Sequence, residues 1–359
     1  MTDRLSRLAR SWDEAAEGYE QYFVPRFAPW VQAAVDAVHT IPFGMVVVPC
    51  CGTFPELELL APWFPDRRIV GIDLSAEMVR LANLRAASLR AASLRAASLR
   101  AASLRADGVR AGGVRADGPG AGGLGADGVR ADGLGAGGLG ADGVRADGLG
   151  ADGIAADGVG AGGLGAGGLG AGGHGADGLG SDGGSLVEVV QGDAAALDPA
   201  WGAAAVVSVF GLQQLPDPPA AIRSWYDALR PGGRLCVVYW PEFAEETGPF
   251  ALLDEVIDGR RDRSWEDALI PALDGAVIER DELRSYPMVH PSAAAYFDAA
   301  DRSGPLRATA LARGDEYIAE LRANYLAKAP AGEWVHHPQA RLISARKPLS
   351  RAEAAPPTS

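Results

Sequence analysis

The chain has 359 residues, of which 48 are glycine, and its formal net charge is −13. The overall field of an acidic protein does not attract a phosphate backbone, which weighs against nucleic acid as a substrate. The N-terminus lacks the apolar stretch of a signal peptide, and no apolar run is long enough for a membrane-spanning helix. Two of the three cysteines are adjacent and there is no CxxC pair. We therefore predict a cytoplasmic protein with no metal site and no membrane partner.

A pentapeptide repeat occupies Ala86 to Ser185, beginning with four copies of AASLR and continuing as variants of A-(D/G)-G-(L/V)-(R/G). Alanine, leucine and arginine favour helices, so the first copies can extend a preceding helix. A pentapeptide β-helix would need a large apolar residue where these units have glycine. Composition instead favours a flexible surface insert, which a fold tolerates because the cost of loop closure grows only logarithmically with length.

Outside the repeat, helical and strand patterns follow one another in chain order. Helices are predicted at 11–22, where Ser11 and Glu14 form a capping-box pattern, and at 30–38. Short β-branched runs predict strands, and helical segments alternate with them. This alternation implies right-handed βαβ crossovers and a mostly parallel sheet. The predicted strands are 45–48, 68–73, 186–190, 204–209, 234–239, 277–286 and 341–345, and the helices between them are 55–61, 76–84, 219–229 and a block at 292–329.

The predicted fold class is α/β, with a Rossmann-like sheet, helices on both faces and a helical C-terminal cap. An N-terminal helical lid is expected at 1–40 and the α/β core at 41–85 and 186–245. The insert at 86–185 separates the two parts of the core. The cap and last strands are expected at 246–349, and a disordered tail at 350–359.

Three strand ends carry residues suited to a nucleoside. The first strand leads through VVVPCCGTFPELELLA into a helix, and a strand, a tight glycine turn and a helix N-terminus make a nucleotide-binding corner. Asp73 lies 21 positions after Gly52, a spacing at which a carboxylate can accept hydrogen bonds from ribose hydroxyls. Asp193, after the third strand, is placed to accept from an adenine amine. The plainer interpretations are a helix-terminal charge for Asp73 and a turn residue for Asp193.

The segment 206–240 adds VVSVFGLQQLPDPPAAIRSWYDALRPGGRLCVVYW, with an LRPGGRL turn before the fifth strand. Together these segments resemble the class I S-adenosylmethionine (SAM)-dependent methyltransferases of the small-molecule type, from Ser11 to about Trp240 without the insert. The resemblance implies SAM as cofactor and a methyltransferase-type sheet. It also implies that the cofactor contacts Gly52 and Thr53 (methionine part), Asp73 (ribose), Leu74 and Met78 (adenine face), Asp193 and Ala194 (adenine edge), Phe210, and the covering residues Trp12 and Tyr19.

The sequence departs from that family in its first motif. The pattern D/E-x-G-x-G-x-G appears here as Val48 to Phe54, and Gly52 alone matches a glycine of it. Val48 stands in the acidic position, and Phe54 puts a large side chain where close backbone approach to the cofactor is expected. One alternative is therefore a catalytically impaired binding or scaffold protein of the same fold. An NAD(P)-dependent oxidoreductase is a weaker alternative, because GxGxxG is missing.

The acceptor is predicted to be a small molecule methylated at oxygen, nitrogen or carbon. If it is a hydroxyl, a general base would help, and His290, His336 and His337 are the candidates in the C-terminal region. A histidine of this kind is more often a surface or packing residue than a base. Aromatic side chains predicted either to line the acceptor site or to form the core of the cap are Tyr22, Trp240, Tyr296 and Tyr325.

Overall fold

The computed structural model describes residues 3–111, 186–257, 263–302 and 304–349. The chain divides into two compact units, residues 1–103 with 184–359, and residues 104–183. The elements described below belong to the first unit, except for the last turns of one helix. Most of the repeat, from residue 112, and the predicted disordered tail at 350–359 lie outside the described residues.

Nine helices and nine strands make up the described part of the chain. The helices are α1 (Asp3–Ala37), α2 (Leu57–Trp63), α3 (Ala76–Ala111), α4 (Pro218–Asp227), α5 (Pro249–Val256), α6 (Leu269–Ala272), α7 (Ala293–Asp301), α8 (Gly304–Arg313) and α9 (Asp315–Lys328). The strands are β1 (Val46–Pro49), β2 (Ile69–Asp73), β3 (Val187–Gln191), β4 (Ala203–Val209), β5 (Leu229–Tyr239), β6 (Val277–Ser285), β7 (Met288–His290), β8 (Trp334–His336) and β9 (Gln339–Arg346).

Seven of these strands form one sheet in the order β3-β2-β1-β4-β5-β9-β6. Strands β1 to β5 are parallel to one another, and β9 runs antiparallel to both β5 and β6. The strand order reverses between β1 and β4, because β1 is followed along the chain by β2 on one side and later by β4 on the other. The predicted mostly parallel α/β fold is confirmed. Ligands of such sheets bind at the carboxyl ends of the strands, beside this reversal.

Both faces of the sheet are covered. Val46 and Val48 of β1 belong to one buried cluster with residues of α1, α2 and the C-terminal helices, whereas Val47 belongs to a second cluster with α4 and α6. Successive side chains of a strand point to opposite faces, so a β1 buried on both sides has to be apolar throughout. This is the reason for the unbroken valine run in its sequence.

The N-terminal region is one helix where two were predicted. Helix α1 continues through Pro25 and Pro29, which lie between the two predicted helices. The predicted N-cap at Ser11 is wrong, because Ser11 lies inside the helix and its hydroxyl donates to the Leu8 carbonyl at 2.8 Å. The apolar side of α1 remains buried on both sides of the prolines, at Phe23, Phe27, Trp30 and Val31. Burial of this continuous face offsets the hydrogen bonds that the prolines cannot make.

The repeat begins inside a regular helix. Helix α3 runs without interruption from the segment after β2 through the AASLR copies, as their alanine and leucine content allows. Ala86 is 1% exposed and Leu89 packs against the main core cluster. The first residues of the repeat are therefore part of the folded core, and the expected domain boundary at residue 86 falls too early.

Two local features were not predicted from the sequence. Strands β7 and β8 form a separate two-stranded antiparallel sheet. The expected LRPGGRL turn is an irregularity within β5, where Gly232 has a φ of 75° and the pairing with β4 shifts register. Among the described residues, no helix is long and apolar enough to cross a membrane, and no cluster of His, Cys, Asp or Glu side chains is suited to a metal ion.

Candidate functional site

A cavity lies at the carboxyl ends of β1, β2, β3 and β4 and is closed on one side by α1. It encloses about 890 Å³ of empty space, including its open mouth. All ten residues predicted to contact a cofactor line this one cavity, namely Trp12, Tyr19, Gly52, Thr53, Asp73, Leu74, Met78, Asp193, Ala194 and Phe210.

The turn after β1 provides the floor. Gly52 has a φ of 53°, and a Cβ atom added there would meet only the Met78 sulfur, at 3.9 Å. The backbone at Gly52 is therefore open to a ligand, which is the use expected of a glycine in such a turn. Cys50, Phe54 and Phe210 also have positive φ values, of 54°, 65° and 59°. Non-glycine residues in this region of the Ramachandran plot cluster at functional sites, and all three lie beside the cavity floor.

Asp73 ends β2 and is fixed by the backbone around it. Its Oδ2 accepts from the Gly52 amide at 2.8 Å, and its Oδ1 accepts from the Ser75 amide at 3.0 Å. Burial raises the pKa of Asp73, while these hydrogen bonds oppose the rise and the nearby Asp13 adds to it. Each oxygen keeps a lone pair for a further donor, so the group is arranged to accept from a pair of hydroxyls.

Helix α1 is tied to the cavity by Asp13. The Oδ1 atom of Asp13 accepts from the Ser75 hydroxyl at 2.6 Å and from the Glu77 amide at 3.1 Å, so it caps the first turn of α3. Its neighbour Trp12 packs edge-on against Tyr19 at 5.5 Å, and both rings line the cavity. The predicted covering helix thus lies over the site.

Asp193 lies at the rim and its side chain is exposed. One of its oxygens accepts from the Ala195 amide at 2.9 Å, as in an ordinary Asx turn. The second oxygen remains available at the cavity edge. Asp193 is therefore a turn residue that also has a carboxylate oxygen at the cavity edge.

The side chain of Phe54 does not enter the cavity. It is completely buried in the core and does not line the site. A Cβ atom on Gly71 of β2 would lie 2.7 Å from the Phe54 ring, so the ring occupies the space that this glycine leaves. The expectation that Phe54 blocks the close approach of a cofactor is therefore wrong. A glycine inside a buried strand is a sign of such close packing, and Gly71 was the available clue.

Glu56 was missed by the sequence analysis and lines the same cavity. Its side chain is 3% exposed, and burial raises its pKa to about 7. Its Oε2 atom and the hydroxyl of the neighbouring Thr53 are both buried without a hydrogen-bond partner. Buried polar atoms of this kind are rare, and a cavity that contains two of them is suited to a polar ligand.

A second cavity, of about 940 Å³, adjoins the first and shares some of its wall. The shared residues are Trp12, Tyr19, Phe27, Phe210 and Gln214. The rest of its lining is mostly apolar, with two charged residues, Asp254 and Arg263. It includes Trp240, which stacks on Phe210 with ring centres 4.3 Å apart. Of the four aromatic residues predicted for an acceptor site or cap core, Trp240 and Tyr296 line this cavity, whereas Tyr22 and Tyr325 do not.

The three candidate histidines lie outside the linings of both cavities. His337 is exposed. His290 and His336 are buried and belong to a hydrogen-bonded chain, with Tyr22 Oη to His290 Nδ1 at 2.8 Å, His290 Nε2 to His336 Nε2 at 2.9 Å, and His336 Nδ1 to Glu245 Oε2 at 2.6 Å. A carboxylate only accepts, so the chain is satisfied if donation runs from Tyr22 towards Glu245. It lies behind the second cavity, where His290 contacts the ring of Tyr296.

The fold and the first cavity define a Rossmann-like α/β protein with a site suited to a nucleoside. The sequence matches no protein-family model and no curated protein.

Similar solved structures include a putative methyltransferase from Bacillus halodurans, with 14% identity and a TM-score of 0.43 over 89% of this chain and 98% of that chain. Another is the geranyl diphosphate C-methyltransferase from Streptomyces coelicolor A3(2), with 12% identity and a TM-score of 0.43 over 96% and 98%. A third is the complex of the Haloferax volcanii Trm112 methyltransferase activator and a putative methyltransferase, with 14% identity and a TM-score of 0.41 over 95% and 97%. These values describe a likeness of fold.

Proposed function

We propose that the protein transfers a methyl group from SAM to a small-molecule acceptor. The observation that carries this proposal is the convergence of ten residues, from α1 and from the ends of four parallel strands, on one cavity with a fixed carboxylate at its base. The convergence is informative because those residues are up to 198 positions apart in the sequence.

The polar and apolar groups of the cavity fit the parts of this cofactor. Asp73 has lone pairs for the ribose hydroxyls, and Leu74 and Met78 provide an apolar surface for adenine beside the rim carboxylate of Asp193. The unpartnered Thr53 hydroxyl and the open backbone at Gly52 suit the methionine part.

The second cavity is the proposed acceptor site. When bound, SAM supplies an electrophilic methyl group on a sulfonium, and the protein has to align the acceptor and exclude water. The walls shared between the cavities, above all Phe27 and Phe210, place the two sites side by side. Aromatic surfaces such as Trp240 suit an acceptor with apolar or ring character. No histidine is assigned as a base in this proposal, because the three candidates lie off the walls.

The proposed acceptor class and location also rest on charge and on cysteine chemistry. A net charge of −13 and a cavity with several aromatic walls favour a small molecule over a nucleic acid. Three unpaired cysteines favour the cytoplasm.

The proposal is tested by titrating the protein with S-adenosylhomocysteine (SAH) in a calorimeter and repeating the titration with Asp73→Asn. Loss of a charged acceptor for two ribose hydroxyls should weaken binding about 10- to 100-fold. Asp66→Asn, an exposed residue before β2, is the matched control and should change the affinity by less than about twofold. Equal affinities of the Asp73 variant and the unmodified protein would contradict the proposed site.

A further inference from the structure

Glu56 is a buried carboxylate without a counter-ion. It precedes α2, is 3% exposed and faces the cofactor cavity. None of the ion pairs formed by the described residues includes it, and its Oε2 has no hydrogen-bond partner. A buried carboxylate is costly unless a cation or donors compensate it. The carboxylate of Glu56 is therefore a negatively charged group at the cavity wall that is available to a cation.

The nearby cation is committed elsewhere. Arg85 of α3 forms ion pairs with Glu20 and, at 3.2 Å, with Glu58, and it donates to the Thr53 carbonyl at 3.0 Å. Its charge lowers the pKa of Glu56 only in part, so burial still dominates. A ligand with a positively charged group at this wall would compensate the negative charge of Glu56 that Arg85 compensates only in part.

The strand before the turn supplies no carboxylate for this purpose. The acidic position that begins the first motif of the family that the sequence resembles is Val48 in this chain, and Val48 is completely buried in the core cluster. Glu56 lies eight positions further on, past the turn, and on the cavity side.

We propose that Glu56 binds the α-ammonium group of SAM and so supplies the negative charge that Val48 cannot provide. This inference rests on the proposed function, since it concerns the amino-acid end of the same ligand. Asp73 and Glu56 then divide recognition between them, the first holding the ribose and the second the amino acid. A ligand without the amino-acid part loses only the second contact.

The contact has a consequence for protons. In the free protein burial keeps the pKa of Glu56 at about 7, so near neutrality part of the population carries a proton on this carboxyl. Binding of an ammonium favours the ionised form, and the proton is released to solvent as the carboxylate pairs with the ligand. Affinity for SAH should therefore rise between pH 6 and pH 8.

Other titratable groups face Glu56. Tyr19 of α1 and Cys51 of the turn interact with it, and burial raises the pKa of each far above this pH range. Arg85 of α3 also interacts with Glu56, and Tyr19 interacts in addition with Asp73 and Glu20. A ligand with the ribose but without the ammonium group measures separately any effect of Asp73 on the pH dependence of affinity.

The test measures the affinities of SAH and of 5′-methylthioadenosine, which has the nucleoside but no amino acid. Both ligands are titrated into the unmodified protein and into Glu56→Gln. Removing the charge-assisted contact should weaken SAH binding at pH 7.5 at least about tenfold and leave methylthioadenosine within about twofold. Glu58→Gln, on the same helix but exposed, should alter neither affinity by more than about twofold. In the unmodified protein the preference for SAH over methylthioadenosine should increase from pH 6 to pH 8.

Equal losses for both ligands in Glu56→Gln, or no loss for SAH, would overturn the assignment of Glu56 and leave the proposed function standing. A preference for SAH that does not change with pH in the unmodified protein would overturn it as well, and this measurement does not depend on whether the variant folds. If the unmodified protein binds neither ligand, the proposed function fails and this inference fails with it.

Discussion

Phe54 illustrates how one side chain can change meaning between sequence and structure. In the motif it replaces a glycine, and a large residue at that place suggests an obstructed site. In the molecule its backbone has a φ of 65° and its ring is turned into the core against Gly71. The residue therefore contributes to packing beneath the turn, and the strain of its backbone is held by that burial.

We expect Phe54→Gly to lower stability without improving cofactor binding. Loss of a buried phenyl ring costs about 3–5 kcal/mol, and relief of the positive φ returns about 1 kcal/mol, so a net loss of about 2–4 kcal/mol should appear in urea denaturation. Phe243→Ala, at a position 68% exposed, should be nearly neutral. An unchanged stability together with tighter SAH binding would restore the impaired-site hypothesis.

His290 shows a different use of burial. Burial, with the nearby His336 and Arg26, lowers the pKa of His290 to about 3, so the ring is neutral in the folded protein well into the acid range. In the unfolded chain the same ring gains a proton near pH 6.5. Stability that depends on this group is therefore complete above pH 6.5 and declines as the pH falls towards 3.

The expected loss between pH 7 and pH 5 is about 2 kcal/mol, and it should be measurable as a fall in the free energy of unfolding. His290→Gln should be less stable at pH 7 but should show a flatter dependence on pH. His39→Gln, at an exposed histidine, is the control and should keep the slope of the unmodified protein. If the His290 variant has an unchanged slope, the acid sensitivity belongs to another group.

Individual site residues could be predicted only where a motif marks them. Asp73 and Gly52 follow strands at a familiar spacing, and this spacing was sufficient to select them. Glu56 carries no such mark, because a glutamate before a helix resembles an ordinary charge at a helix N-terminus. Its burial and its lack of a partner depend on Arg85, 29 positions further along the chain, and no local pattern contains that information.

At the scale of elements, the strands of the seven-stranded sheet were predictable and the full lengths of the long helices were not. The β-branched runs of β1 and β2 allow few other structures when both faces are buried. Helix α1 was predicted as two helices, at 11–22 and 30–38, and two prolines lie between those ranges. Its continuity comes from tertiary burial of the residues on either side. The buried chain from Tyr22 to Glu245 joins α1 to β7 and β8, and could not be inferred from a 268-residue separation of its first pair.

The extension of α3 into the repeat leads to a prediction about truncation. Replacing residues 95–185 by a Gly/Ser linker of about 12 residues should leave the thermal midpoint within about 2 °C, because Ala86 and Leu89 are retained. Replacing 86–185 by the same linker removes both contacts and should cost about 1–3 kcal/mol, or several degrees. Differential scanning calorimetry of the two truncated proteins measures this difference. Equal midpoints would show that the AASLR copies add nothing to the core.

At the scale of the whole molecule, the sheet order brings the site together. The reversal between β1 and β4 opens a crevice at the carboxyl ends of the strands, and α1 covers it. Parallel strand order followed from the alternation of elements in the sequence. The antiparallel β9 between β5 and β6 did not, because pairing of distant strands depends on the packing of the C-terminal segments.

The central claim is that the cavity at the ends of β1 to β4 binds the methionine-bearing nucleoside. The most direct measurement is calorimetric titration of the full chain with SAH at pH 7.5, beside a parallel titration with NADH. We predict saturable binding of one SAH per chain, with a Kd well below about 1 mM, and no saturable binding of NADH. Absence of SAH binding, or tighter binding of NADH, would contradict the account.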